Sequence, residues 1–471
     1  MPAAIVVRSD STAPADDEDD HDSAGSPRSG VRREVPMHAC RMGLAVPFVL
    51  LCVPLCAADL YLTPAGAGAK DGSSWENALD ATALGRTVNE ALKPGETLHL
   101  GGGEYRDVTL RIETGGQPNQ PKRLVGVERD GKLPTFVSSW NIDKPDKGEI
   151  AIELGTGVSH LQIGHLRLKG YRYGVRASKD ADKGRKDLVF DDVDLERFEY
   201  GFYLSHCDDL VVRGCDLKRY AKHGFRLQEG CDRVQYISCS ADCSEGDAVW
   251  ETKTELLPFG FLCNDGGEPN TSISFFDCRA MNNMKTNQKQ KYVNGDGFVM
   301  EGNTRDVTFQ RCVSIRNNDG GFDLKPPVKL LDCVAWRNKR GFRIWSAGEL
   351  VNCVAGHHVD CSLWAREKAQ VVATRCTFVD DQQACVRAEN ASAVTLTRCL
   401  IAMTGDTKDR HPVAGQAQLE ETEIFTPGNG KTDPAFAAKE DWDGRGAGMD
   451  SAAYPGHGYR STQVKAEMLK R

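Results

Sequence analysis

A short pattern of alternating hydrophobic residues that ends in cysteine recurs along the chain. The intervals between successive cysteines are 24, 39, 34, 21, 20, 23 and 23 residues, which fits a unit of 20–24 residues with two long insertions. Alternation of this kind, rich in β-branched residues and interrupted by Gly, Asn and Asp, predicts strands and turns. The phrases are LVVRGC ending at Cys215, VQYISC at Cys239, ISFFDC at Cys278, VTFQRC at Cys312, VKLLDC at Cys333, GELVNC at Cys353, VVATRC at Cys376 and VTLTRC at Cys399.

A second phrase, built around Gly-Phe, lies between the cysteine phrases. It appears as YGVRA from Tyr173, YGFYL from Tyr200, HGFRL from His223, FGFLC from Phe259, DGFVM from Asp296, GGFDL from Gly320 and RGFRI from Arg340. Self-similarity at this period indicates stacked units, each of which buries its apolar face only against its neighbours. No long stretch of helical periodicity lies inside the repeats, so paired-helix solenoids fit badly. The chain is therefore predicted to be an all-β, single-stranded parallel β-helix.

The repeated cysteines predict a column inside this stack. Equal positions on successive rungs lie about 4.8 Å apart, and a reduced cysteine there acts as a small hydrophobe. The chain has 17 cysteines, and in an exported protein such a number is also compatible with disulfides. A uniform stack does not supply the side-chain directions that a disulfide needs. Reduced cysteines are therefore the favoured interpretation.

The two ends of the repeat region differ from the repeats. Regular apolar spacing over residues 81–92 predicts a helix that covers the first rung, within an N-terminal strand and helix cap at 59–110. The β-helix itself is predicted at 111–404. The turn-rich segment 405–471 is expected to form an irregular cap that closes the other end.

The first 58 residues do not follow the repeat. Residues 1–36 include the acidic run ADDEDDHD and are predicted to be a disordered leader, which is untranslated if translation starts at Met37. Residues 37–58 have one arginine, a short apolar run and small residues before the predicted cleavage point, the layout of a signal peptide. An uncleaved apolar helix or anchor is the alternative. A signal peptide implies a secreted, periplasmic or cell-surface protein with no membrane association beyond export.

Composition narrows the classes of partner. The net charge is −8, with 40% hydrophobic and 27% charged residues, which is typical of a folded globular chain. No cluster of lysine and arginine interleaved with aromatic residues is present, which argues against nucleic-acid binding. The sequence gives no indication of an oligomeric state.

Superposing the Gly-Phe phrases brings charged positions together. Asp296, Asp319, Asp323 and Arg343 fall within about two rung spacings, on the order of 10 Å. Carboxylates at that distance repel one another unless a cation offsets the charge. Oxygen-rich acidic clusters suit calcium, and an adjacent arginine suits a ligand that carries a carboxylate. Two insertions, at 240–258 and 281–295, are expected to form walls on the same side of the stack. The alternative interpretation of the three aspartates is that they only cap turns.

The residues around this cluster resemble a known family. The segments FGFLCNDGGEPNTSISFFDCRAMNN, NGDGFVMEGNTRDVTFQRCVSIRNNDGGFDL and VKLLDCVAWRNKRGFRIW are similar to pectate-lyase-like polysaccharide lyases of family nine. The resemblance implies a right-handed parallel β-helix that cleaves an acidic polysaccharide by β-elimination. It implies calcium as the cofactor, with Asp296, Asp319 and Asp323 as ligands and Arg343 in the place of the catalytic base.

The chain departs from the family pattern at two positions. Gly320 stands where the family has a second consecutive aspartate, and Arg343 stands where it has lysine. Arginine stays protonated in proteins, which makes it a poor base. The residues expected to help bind substrate are Arg226, Lys325, Arg340 and Trp345.

Three functions remain open from the sequence. The first is a calcium-assisted lyase that acts on a uronate-containing, pectate-like polysaccharide. The second keeps the fold but hydrolyses the glycan with a pair of carboxylic acids. The third is a polysaccharide-binding or cell-surface β-helix without catalysis.

Overall fold

The computed structural model describes most of the chain after residue 58. The described ranges are 59–178, 184–244, 258–263, 266–284, 294–381, 384–405, 411–437, 442–444 and 449–461. The predicted leader and signal peptide lie outside them, as do residues 245–257 and 285–293 of the two insertions. No helix within the described ranges is both long enough and apolar enough to cross a membrane.

The described chain is a parallel β-helix, as predicted. On each rung the chain passes through three strands in turn, and each strand pairs in parallel with the equivalent strand of the next rung. We call the resulting sheets A, B and C. Three long strands turn corners and contribute to more than one sheet: Ser159–Ala177, Arg185–Leu204 and Asp216–Leu227.

The remaining strands each belong to one sheet. Sheet A contains Leu60–Leu62, Thr97–Gly101, Lys122–Val127, Cys207–Arg213, Asp232–Ile237, Thr271–Phe276, Arg305–Gln310, Val328–Leu331, Ala347–Val351, Gln370–Thr374, Ala393–Thr397 and Ala417–Glu420. Sheet B contains Gly103–Arg106, Pro134–Val137, Ser240–Asp242, Arg279–Met281, Val313–Ile315, Val334–Trp336, Val354–Gly356, Thr377–Asp380, Leu400–Met403 and Glu423–Phe425. Sheet C contains Leu110–Ile112, Ile150–Leu154, Phe259–Cys263, Phe298–Met300, Gly320–Leu324, Arg340–Ile344, Cys361–Ala365, Val386–Ala388 and Val413–Ala414.

The strand ladder reaches further than the predicted 111–404. It begins at Leu60–Leu62 and continues to Glu423–Phe425. The helical cap lies where the apolar spacing placed it, as one run composed of Ala81–Ala83, Leu84–Arg86 and Thr87–Ala91. The cap buries Leu84, Val88 and Leu92 against the first rungs, which covers the open end of the core.

The C-terminal tail takes a different course from the one predicted. It was expected to close the last rung, but the described segments 442–444 and 449–461 run back along the outer face of sheet B. Met449 and Tyr459 are buried there against a second apolar cluster that includes Val313, Trp336 and Val354. Because these sheet residues are apolar and point away from the main core, they need a cover.

The cysteines form the predicted internal column. Fourteen cysteines lie in the described ranges, and all are buried and free. The eight that end the cysteine phrases mark the corner from sheet A to sheet B. The residue before each adopts a left-handed conformation, with φ from 52° to 60°. The corner therefore needs a left-handed residue followed by a small inward side chain, which the phrase supplies.

A polar ladder that the sequence did not reveal runs through the corner from sheet B to sheet C. Asn283 Nδ2 donates to Asn317 Oδ1 at 2.8 Å, and Asn317 Nδ2 donates to Asn338 Oδ1 at 2.9 Å. The backbone N–H of Asn338 donates to His358 Nδ1 at 3.1 Å, and that of His358 donates to Asp380 Oδ1 at 2.7 Å. Burial lowers the pKa of His358 to about 3, so its imidazole is neutral and able to accept.

The ladder explains the glycine of the Gly-Phe phrase. A Cβ added to Gly297 would lie 2.0 Å from Ser314 Oγ and 2.9 Å from Asn317 Nδ2. A Cβ on Gly321 would lie 2.6 Å from Asn338 Nδ2. The glycine thus leaves room for the ladder, while the phenylalanine after it stacks inside the core on its equivalent one rung away.

Replacing Gly297 by alanine is expected to destabilise the protein by about 1–3 kcal/mol, because the core corner has no space for a methyl group. Thermal unfolding of the full chain measures this as a lower Tm. The matched control is Gly302→Ala, where a Cβ meets nothing within 4 Å. Equal Tm values for the two variants would contradict the close packing described here.

Candidate active site

The outer face of sheet C carries the predicted cluster. The inward residues of this sheet are hydrophobic, so the residues on either side of them face outward. Asp323 pairs in register with Arg343, which pairs with Trp364, which pairs with Arg387. The GFDL and GFRI phrases are therefore the same segment of two adjacent rungs, and their charged residues stack on each other.

Three aspartates lie together in this region and are largely buried. Asp296, Asp319 and Asp323 have 4%, 6% and 7% of their surface exposed. Asp296 Oδ1 accepts a hydrogen bond from the backbone N–H of Gly320. The structure thus brings together the three carboxyl groups that the sequence placed on neighbouring rungs.

The absence of a side chain at Gly320 leaves room for the carboxyl group of Asp296. A Cβ added to Gly320 would lie 2.7 Å from Asp296 Oδ1 and 3.6 Å from the Cβ of Asp323. A side chain at this position would displace the Asp296 carboxyl group. The glycine that the family comparison marks as a missing acid is therefore a requirement of the arrangement present in this chain.

Basic side chains surround the aspartates. Arg340 Nη1 donates to Asp319 Oδ1, and Arg340 Nε donates to Asp360 Oδ2 at 2.9 Å. Lys339 Nζ lies 3.8 Å from Asp319 Oδ1. Arg343 Nη1 lies 3.7 Å from Asp319 Oδ2 and 3.5 Å from Asp323 Oδ2. The three positive charges offset the negative charge of Asp319, and that of Arg343 also offsets the charge of Asp323.

Asp296 and Asp319 differ in the charges that act on their pKa values. Burial, with added repulsion from Asp323 and Asp319, raises the pKa of Asp296 well above its ordinary value. Burial also raises the pKa of Asp319, but the Arg340, Lys339 and Arg343 side chains oppose this shift. Asp296 is therefore the carboxyl group most suited to keep a proton and donate it.

The described side chains do not fit a calcium ion as they are placed. Calcium takes roughly six to eight oxygen ligands. Asp319 is in contact with three basic side chains, and Trp345 Nε1 donates to Asp323 Oδ1 at 2.6 Å. Within the described ranges, no group of three or more His, Cys, Asp or Glu side chains is arranged to hold a metal ion.

Two tryptophans and a set of arginines extend the site onto the next rungs. Arg340 and Arg366 lie over the ring of Trp364, each 4.6 Å from its centroid. Arg343 and Arg366 lie over the ring of Trp345, at 4.6 Å and 4.5 Å. Arg343 Nε, Arg366 Nε and Trp364 Nε1 are buried and have no hydrogen-bond acceptor among the described residues.

Sequence reasoning missed Trp364, Arg366 and Arg387. The last Gly-Phe phrase is RGFRI, and the next segment on sheet C is CSLWA, which lacks the phrase. Extending the column by one more unit of 20–24 residues would have found Trp364, since it pairs in register with Arg343.

The remaining predicted residues divide into two groups. Trp345 and Arg340 belong to the cluster. Lys325 lies on an adjacent outward position, where Nζ contacts Glu301 Oε2. Arg226 occupies the same column as Asp323 but three rungs earlier, about 14 Å away, and stacks over Tyr203 at 4.9 Å. The structure does not bring Arg226 into the cluster.

No protein-family model matches the sequence, and no curated protein matches it. Solved structures with a similar fold include a pectate lyase, Pel9A, at 13% identity and a TM-score of 0.43, covering 81% of this chain and 82% of that one. A rhamnogalacturonan lyase is 14% identical at a TM-score of 0.44, covering 87% and 98%. The catalytic unit of the GH87 alpha-1,3-glucanase from Streptomyces thermodiastaticus strain HF3-3 is 13% identical at 0.49, covering 76% and 67%. The similarity to these structures concerns the fold alone.

Proposed function

We propose that this protein is an exported enzyme that cleaves a uronate-containing polysaccharide by β-elimination at the Asp296, Asp319, Asp323 and Arg343 cluster. The observation that carries this proposal is the placement of three buried aspartates beside Arg343, whose guanidinium group stacks over Trp345. The signal-like segment at 37–58 supports export.

Arg343 suits the role of binding the uronate carboxylate. Its described polar contacts use only Nη1, and its buried Nε has no acceptor. A guanidinium group has five N–H donors in a planar fork, so a third carboxylate, that of the substrate, can bind to the remaining donors. Neutralising the carboxylate makes the proton on the adjacent carbon more acidic. This role replaces that of base, which a protonated arginine performs poorly.

The aspartates then supply the proton transfers. We assign Asp323 as the base that takes the proton from the carbon next to the uronate carboxylate. The electron pair of that bond forms a carbon–carbon double bond, and the bond to the glycosidic oxygen breaks. Protonated Asp296 donates its proton to the leaving oxygen. The products are a shortened chain and a fragment with an unsaturated uronate at its new end.

Hydrolysis is the second candidate, favoured by the position of Asp296, whose pKa is raised, beside two further carboxyl groups. A glycosidase needs one protonated acid and one carboxylate that flank the glycosidic bond. Asp296 paired with Asp319 or Asp323 would meet that requirement. In this reaction a water molecule is added and no double bond forms.

Incubation with polygalacturonate distinguishes the candidates. We expect ultraviolet absorbance from an unsaturated uronate to increase together with new reducing ends, in the presence of a chelator as well as with added calcium. Reducing ends without absorbance would establish hydrolysis instead. Absorbance only with calcium would support the metal-assisted reaction that the family resemblance implies. Binding without either signal would leave a non-catalytic function.

The methyl ester of the same polysaccharide is the matched control substrate. It has the same backbone but no negative charge for Arg343 to bind. We expect its Kd to be at least about tenfold higher, because a hydrogen bond to a charged group contributes about 1.5–3 kcal/mol. Equal Kd values for the two substrates would contradict recognition of the carboxylate.

A further inference from the structure

A group of tyrosine and arginine side chains lies on sheet C several rungs before the aspartate cluster. Arg176, Tyr203 and Arg226 pair in register on three successive rungs. Tyr173 and Tyr200 pair in register beside them. We call these five residues the tyrosine–arginine patch. Both arginines are half-buried, so part of each side chain is accessible to a ligand.

The tyrosine rings hold the two guanidinium groups in place. Tyr173 and Tyr200 stack with their ring centroids 4.9 Å apart, and Tyr203 packs edge-on against both rings at 5.5 Å and 5.2 Å. Arg176 lies over the ring of Tyr173 at 5.2 Å, and Arg226 lies over the ring of Tyr203 at 4.9 Å. A ring attracts a guanidinium group but supplies no oxygen acceptor for its N–H donors.

Neither arginine of the patch forms an ion pair within the part of the chain that the structure describes. Arg226 Nη1 lies 3.4 Å from His223 Nδ1, and burial lowers the pKa of His223 well below its ordinary value, so this partner is neutral. Arg226 Nε is buried and has no acceptor among the described residues. Glu153 precedes Arg176 in the column, but its ion pair, at 3.9 Å, is with Arg111 Nε.

A neighbouring arginine shows the contrast. Arg172 Nε donates to Glu199 Oε2 and its Nη1 donates to Glu149 Oε1, each at 2.8 Å. Guanidinium groups match carboxylates in geometry and charge, and bind them with charge-assisted hydrogen bonds. A carboxylate supplied by a ligand would give the arginines of the patch the kind of partner that Arg172 already has.

The patch is separate from the aspartate cluster. Arg226 lies three rungs from Asp323, about 14 Å. Leu262 and Val299 occupy the same column on the two rungs between them, and both are apolar and buried. A polymer with a charge on each sugar can bind at the patch and at the cluster together, which raises its affinity without any shared contact.

We propose that the tyrosine–arginine patch is a second binding site for an acidic polysaccharide, at which Arg176 and Arg226 bind carboxylates of the sugar chain. This inference rests on the proposed function for the identity of the polysaccharide. The patch holds the polymer near the aspartate cluster and takes no part in bond cleavage.

The test replaces Arg226 by glutamine, which removes the charge but keeps a polar side chain. We expect the Kd for long-chain polygalacturonate to rise by about tenfold, because charge-assisted hydrogen bonds are lost. The Kd for the methyl ester, which has no carboxylate, should be unchanged. In cleavage of polygalacturonate, KM should rise with kcat unchanged, since Arg226 does not contact the reacting atoms. Arg226→Lys should recover part of the affinity, because it keeps the charge but lacks the planar fork.

Arg305→Gln is the matched control, since it makes the same change at an exposed position of sheet A. Its Kd for polygalacturonate should equal that of the wild type, and equal Tm values for the two variants establish that both are folded. Arg176→Gln is a second test of the patch and should also raise the Kd about tenfold.

The second site is refuted if the wild type does not bind polygalacturonate, or if the Arg226→Gln and Arg176→Gln variants bind it as tightly as Arg305→Gln does. An equal loss of affinity for the methyl ester would also refute it, because the carboxylates would then not be what the patch recognises. If the wild type binds without cleaving and Arg226→Gln weakens that binding, the proposed reaction fails and the second site stands.

Discussion

Replacing Asp296 by asparagine is expected to lower kcat/KM by about 10²–10⁴-fold, the usual contribution of a general acid. Asparagine keeps the oxygen that accepts from the Gly320 N–H, so the local structure is retained. It has no proton to give to the leaving oxygen. Initial rates of unsaturated product formation over a range of polygalacturonate concentrations measure the loss.

The same change is expected to raise thermal stability at higher pH. The pKa of Asp296 is raised in the folded protein, so the protonated form contributes stability that is lost as the pH rises through the folded-state value. Asparagine stays neutral, and the Tm difference between variant and wild type therefore increases with pH. Asp306→Asn, at an exposed position of sheet A, is the control. If Asp296→Asn kept full activity, Asp296 would not be the general acid.

Replacing Arg343 by alanine is expected to reduce kcat on polygalacturonate by about 10²–10³-fold, as for other groups that stabilise developing negative charge. Arg343→Lys should recover part of the rate, since it keeps the charge but lacks the planar fork. The effect on the methyl-esterified substrate should be small, because that substrate has no carboxylate for Arg343 to bind.

The comparison of the two substrates separates binding of the carboxylate from proton abstraction. If Arg343 were the base, its loss would slow cleavage of both substrates by the same factor. Arg305→Ala removes an exposed arginine of sheet A and should leave both rates unchanged. Equal losses on both substrates would return the role of base to Arg343.

The fold could be predicted from the sequence because a parallel stack repeats its register. The cysteine and Gly-Phe phrases recur at the length of one rung, so the same position in successive phrases marks the same corner or the same outward-facing position on successive rungs. The spacing of 20 residues between Asp323 and Arg343 equals one rung, so the sequence predicted that these two side chains stack on each other. The parallel register then confirmed that alignment.

Other features depend on contacts that spacing does not encode. The hydrogen bond from Gly320 to Asp296 crosses between rungs, so Gly320 looked like a missing acid. Arg337 sits in a left-handed corner, a conformation that an arginine seldom adopts, so its residue type does not indicate its backbone position. The tail packs on sheet B because the outer face of that sheet is apolar. In the sequence, apolar residues that face outward look the same as those that face the core.

Elimination and hydrolysis are distinguished most directly by the mass of the products formed from polygalacturonate in water labelled with heavy oxygen. Elimination is expected to give fragments whose new non-reducing end makes them lighter by one water molecule than the corresponding saturated oligosaccharides. Cleavage itself is expected to introduce no heavy oxygen beyond the exchange seen at reducing ends in an enzyme-free control. Saturated fragments that gain one heavy oxygen per cleavage would contradict elimination and establish hydrolysis.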